Sequence, residues 1–66
     1  MKYYDLHVSH NKHDSFSVAL KSTKLLEDAE VTALALKEKR IEKCDLDKID
    51  YIQEISAKEY KDMSAT

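Results

Sequence analysis

Two consecutive segments alternate apolar and polar residues with a strict period of two, and nothing else narrows the folds open to this chain so sharply. In residues 3–9, Tyr4, Leu6 and Val8 fall on one side, and Tyr3, Asp5, His7 and Ser9 on the other. In residues 15–21, Phe16, Val18 and Leu20 stand against Ser15, Ser17, Ala19 and Lys21. Successive side chains of a strand point to opposite faces, so the pattern predicts two half-buried strands. The polar run at 10–14 is of hairpin length.

The alternation also predicts the register. Pairing Ser9 with Ser15 sets Val8 against Phe16, Leu6 against Val18 and Tyr4 against Leu20. Every apolar side chain then meets an apolar partner, which is how a ladder gains stability. A slip of one residue would send those partners to opposite faces.

The chain holds no glycine and no proline. Turns must rely on Asn and Asp, which tolerate left-handed or side-chain-bonded geometry. The same absence removes the glycine-rich cradles on which dinucleotide fingerprints and P-loops depend.

From residue 26 to 42 the sequence turns to Ala, Leu, Glu, Lys and Arg, all good helix formers. Glu27, Asp28 and Glu30 open this stretch, while Lys37, Lys39, Arg40 and Lys43 close it, which suits the helix dipole. Val31, Leu34, Ala35, Glu38 and Ile41 share one face, expected to cover the apolar side of the hairpin. Residues 44–48 read as a polar connection. A third strand is expected at 49–55, with Ile49, Tyr51 and Ile55 on one side and Ile52 on the other. Ser56-Ala57-Lys58-Glu59 matches a capping box and predicts a short terminal helix carrying Tyr60 and Met63. The expected fold class is α+β: a single domain over residues 1–66, ordered β-β-α-β, with a three-stranded antiparallel sheet in the order 2-1-3. One main helix packs on one face, the other face stays open, and the end frays at 64–66.

At 66 residues the chain forms one small domain, whose single core supplies about 3–5 kcal/mol. The lone Cys44 cannot close an internal disulfide, which points to a reducing compartment, the cytoplasm. The longest apolar run, residues 33–36, falls far short of a membrane span, and no apolar signal segment opens the chain. A partner chain is then the natural further source of stability, so a homodimer is expected.

Charge is uneven. Residues 1–24 carry four Lys against two Asp, a net of +2, and residues 45–66 carry three Lys against six acids, a net of −3. Such a dipole can orient a partner or a second copy.

Chemistry-bearing residues are few. His7, His10 and His13 with Asp14 are metal-ligand types, but His7 lies on a strand while the other two belong to the turn, so they are expected to be solvent-exposed histidines. Asp5, His7 and Ser17 share the outer face, yet strand neighbours two apart sit about 6–7 Å from each other, too far for an Asp–His hydrogen bond. Asp45, Asp47 and Asp50 lack the glycine and terminal glutamate of a calcium loop and read as turn and cap chemistry. The basic cluster at 37–43 is broken by two acids in a net acidic chain, so nucleic acid is an unlikely partner, although Tyr3 and Tyr51 could stack bases.

The layout, a hairpin, an acid-led helix and a strand before an acidic tail, resembles short accessory proteins of bacterial plasmids and phages. That resemblance implies a regulator or inhibitor of a host protein. The expected function is a non-enzymatic protein-interaction module that needs no cofactor or metal. Its partner-binding residues are expected to be Tyr3, His7 and Tyr51 on the sheet face, Ala33 and Leu36 on a narrow apolar helix stripe with Ala29, and Arg40 at the helix end. The alternatives are weak nucleic-acid binding through the sheet face and the basic helix end, and metal binding by the histidine-rich hairpin.

Overall fold

A computed structural model describes residues 1–64. The chain runs through β1 (Lys2–Asn11), β2 (Asp14–Ser22), α1 (Asp28–Lys37), a 3-10 helix (Lys43–Lys48), β3 (Ile49–Ile55) and α2 (Ala57–Ser64). The sheet is antiparallel in the order β2-β1-β3, as the alternation requires. The hairpin register is the expected one, with Ser9 opposite Ser15, Leu6 opposite Val18 and Tyr4 opposite Leu20.

The turn itself is set by what the chain lacks. Two-residue hairpin loops favour turn types that need positive φ, and neither Lys12 nor His13 adopts it. Instead the Asn11 side chain accepts from the backbone N–H of His13 at 2.8 Å, and the ladder skips one residue between Ser9 and Asn11. The residue skipped is His10, on the side of β1 that carries the core.

That core lies on the inner face. Tyr4, Leu6, Val8, Val18 and Leu20 pack against Val31 and Ala35 of α1 and against Ile41, with Leu6, Val8, Val31 and Ala35 fully buried. Phe16, opposite Val8 near the hairpin tip, stays 36% exposed.

Helix α1 is shorter than the composition suggests. It ends at Lys37 because Lys39 takes a left-handed φ of 58°, the position where a helix usually places glycine. The Arg40 N–H then reaches the Ala35 carbonyl at 2.9 Å, and the Lys39 N–H the Leu36 carbonyl at 3.0 Å. This closing pair of bonds satisfies two end carbonyls and turns the chain so that Ile41 enters the core from outside the helix.

The connection at 44–48 is likewise more ordered than expected, forming most of the 3-10 helix. In β3 the ladder to β1 shifts between His7 and Val8, so Val8 faces Ile49 and Asp50 drops out of the count. Ile49 therefore joins Ile52 against the core, away from Tyr51 and Ile55, where strict alternation had grouped it with them. The Ser56–Glu59 cap forms: the Glu59 N–H donates to Ser56 Oγ at 3.1 Å.

One face was expected to be open, and half of it is not. Tyr60 of α2 packs on Tyr3, with ring centroids 4.8 Å apart, on the side of β1 opposite the core. At that end Asp5, Ala19 and Ile55 are buried although they point outward. Ser64 is helical, and the rest of the span expected to fray, 65 and 66, lies outside the described residues.

Candidate functional site

Beside the free edge of β2, between that strand's end and α1, lies an open cleft of about 380 Å³. One wall is a single helical stripe, Glu30, Ala33, Leu34 and Lys37, spaced i, i+3, i+4, i+7 so that all four share a face. Lys21, Ser22, Lys24 and Leu26 form the other. The depression exists because Ala33, between Glu30 and Lys37, contributes only a methyl group. Leu26 is held in place by the core: its N–H donates to the hydroxyl of the buried Tyr4 at 2.8 Å. The exposed lining is almost wholly apolar, and three lysines contribute to it: Lys24 and Lys37 beside the floor, and Lys21 at the strand edge, where it shares the outer face with Tyr3.

The charges at this rim are not neutralised from within. Glu30 Oε1 accepts the N–H of Glu27 at 3.1 Å, which commits it to capping α1. Among the described residues the ion pairs are Lys2–Glu54 and His10–Asp45, and Lys21, Lys24 and Lys37 belong to neither. Leu25, next to this wall, is 68% exposed and extends the apolar surface.

The expected partner-binding residues fare differently. Ala33 lines the cleft. Leu36 does not offer an outer stripe: Val31 and Ala35 face the sheet, and Leu34 and Leu36 flank them on either side, each half-buried against the core. Arg40 Nη1 donates to the Ala19 carbonyl at 3.2 Å, occupying a backbone acceptor on the edge strand. Tyr3 is half-buried beneath Tyr60, so it is not an open surface. His7 and Tyr51, opposite one another, stack at 5.0 Å with planes 10° apart.

Around that stack the outer face is polar. His7 Nδ1 lies 2.9 Å from Ser17 Oγ, while Asp5 accepts from Gln53 Nε2 at 3.2 Å rather than from His7. Serine, histidine and aspartate thus share a face without forming a relay. Asp5 Oδ1 is buried and has no hydrogen-bond partner among the described residues. Its negative charge is the first cause, ahead of burial and Asp50, that pushes the Tyr51 phenol above its ordinary value.

The hairpin histidines also differ from expectation. His10 is not free in solvent: it is half-buried, and its Nε2 lies 2.6 Å from Oδ1 of the buried Asp45. The other oxygen of Asp45 accepts the Glu42 N–H at 2.8 Å, capping the 3-10 helix. Both bonds favour the ionised carboxylate, the backbone bond more strongly, and hold Asp45 below the usual carboxylate range. Among the described residues no three metal-ligating side chains come together. Cys44 is exposed, and desolvation first, then Asp45 and Glu42, raise its thiol, which disfavours the reactive thiolate.

Among the described residues no helix is long and apolar enough to cross a membrane. Scans of protein-family models, of curated proteins and of solved structures each return no match.

The cleft was missed in the sequence because it is made by an absence, the small side chain of Ala33, and by two walls from different elements. The one available signal was the interleaving of Lys21, Lys24 and Lys37 with Leu25, Leu26 and Leu34.

Proposed function

We propose that this chain is a non-enzymatic interaction module that acts by occupying another protein, and that it engages that protein through the α1–β2 cleft. The observation that carries the reading is the coincidence of an apolar floor with three lining lysines that have no ion-pair partner among the described residues. Concave apolar surface with a few oriented polar groups is the usual form of a binding site. The exposed Cys44 fits a reducing compartment, the cytoplasm, and regulation of a host protein is the concrete form such binding would take.

Self-association, expected from the size of the chain, would not pair cleft with cleft. Two copies meeting cleft to cleft would bring two sets of three lysines together, and like charges across an interface cost several kcal/mol.

Ala33→Gln fills the cleft from an exposed helical position with a good helix former. Peptides selected from a displayed random library against the native chain are expected to shift the amide NMR signals of Leu26, Ala33 and Leu34, and to lose binding to Ala33→Gln. Selected peptides that bind both chains equally, or map to the outer face, would refute the assignment.

A further inference from the structure

We infer that the occupant of the cleft is an acidic amphipathic helix presented by a different protein, a statement that rests on the cleft being the binding surface. Three features carry it. First, Lys24 and Lys37 border the apolar floor and Lys21 lines its strand edge, none with an ion-pair partner among the described residues, and Glu30, the one acid in the lining, is turned to its own helix terminus. A segment with one or two large apolar side chains flanked by carboxylates matches both floor and rim. A basic or uncharged segment matches the floor alone.

Second, the wall supplied by α1 is a ridge spaced i, i+3, i+4, i+7 with a gap at Ala33. Helices dock by setting the ridge of one into the groove of another, and apolar anchors at the same spacing would follow this one. Third, the competing mode, addition of an extended strand to β2, is obstructed beside the cleft. The Arg40 guanidinium already occupies the Ala19 carbonyl on that edge. The cleft is also open to solvent, so an isolated anionic acyl chain would remain largely wet, whereas a helix would cover the apolar floor with its own backbone and flanks.

The charge argument separates this occupant from a second copy that meets the chain cleft to cleft. The cleft presents like charge to itself, so the partner must bring the opposite sign.

The test uses three fluorescein-labelled helical peptides that share leucines at i, i+3, i+4 and i+7 and carry Glu, Gln or Lys at the flanking positions. Titrated with the intact chain and followed by anisotropy, they are expected to bind in the order Glu, Gln, Lys. The Glu peptide should weaken at least about tenfold between low and high salt, since rim charges within a Debye length dominate its capture. The triple variant Lys21→Gln, Lys24→Gln, Lys37→Gln should erase the preference for Glu while keeping the Gln peptide. Equal binding of Glu and Gln peptides that Ala33→Gln still abolishes would overturn the acidic occupant and leave the cleft standing. No binding by any peptide, or binding that Ala33→Gln leaves intact, would take down the cleft reading itself. Phosphatidylserine vesicles run in parallel must fail to bind. Vesicle binding lost in the triple lysine variant would replace the helix with an anionic membrane surface.

Discussion

Two junctions beside the sheet each gather charged side chains and end in opposite states. Where the 3-10 helix meets β1, Asp45 serves two donors at once, the Glu42 N–H at 2.8 Å and the His10 ring at 2.6 Å, and is itself buried. Where α1 meets β2, three lysines line an apolar cleft and form no ion pair among the described residues. Charge matched within the molecule holds the molecule together. Charge left unmatched beside apolar surface adds no ion pair to the described fold, and so is available to something else.

The sharpest way to break this contrast is to remove Asp45. Asp45→Ala leaves the half-buried His10 without its acceptor and uncaps the 3-10 helix, two losses in one substitution. The melting temperature should fall by about 10 °C or more, because a domain this small moves steeply with each kcal/mol. The effect has a pH signature whose sign follows from the pair. The folded-state value of Asp45 lies below its unfolded one. Its contribution is therefore complete above the unfolded carboxyl range, about pH 4, and vanishes as pH falls through the folded value. Denaturant titrations of the native chain and Asp45→Asn should differ most near neutral pH and converge in acid. A gap that stays constant down to pH 2 would show that the pair does not carry the difference.

Next in size is the one hydrogen bond by which the core holds the cleft. Tyr4→Phe keeps the buried ring and removes the hydroxyl that accepts from the Leu26 N–H at 2.8 Å. Stability should drop by about 1–2 kcal/mol as that N–H loses its acceptor. The amide of Leu26 should exchange with solvent faster while those of β1 and β2 do not. Uniform loss of protection across the chain would mean that the bond supports the whole core and not this wall.

The same two regions show why parts of the fold could be read in the sequence and others could not. The hairpin was legible because Tyr4, Leu6 and Val8 alternate without interruption and a single register satisfies them all. The Ser56–Glu59 cap was legible because both residues are local. The end of α1 was not, since the left-handed residue is Lys39, which carries no mark of the role glycine would have announced. Nor was the shift in β3, where passing over Asp50 moves Ile49 to the core side. His10 read as a turn residue because its partner lies 35 positions away. The outer face read as open because Tyr3, Ala19 and Ile55 are too scattered to show that Tyr60 would cover them. Local rules carried the hairpin and the Ser56–Glu59 cap. Long-range contacts decided the two sites.

The smallest expected effect is the most telling. If the lysines around the cleft serve a partner and not the fold, replacing all three should cost the free chain almost nothing. Lys21→Gln, Lys24→Gln and Lys37→Gln together should move the denaturant midpoint by no more than about 0.5 kcal/mol equivalent, the range of ordinary surface changes. Reduced repulsion among them could even raise it slightly, since like charges ringing an apolar floor oppose one another at low salt. Measured beside Asp45→Ala, this sets a large loss from one matched charge against a negligible one from three unmatched charges. A triple variant as unstable as Asp45→Ala would mean that the lysines pack their aliphatic stems on Leu26 and Leu34 as part of the core. The cleft would then be a seam of the fold rather than a place for another molecule.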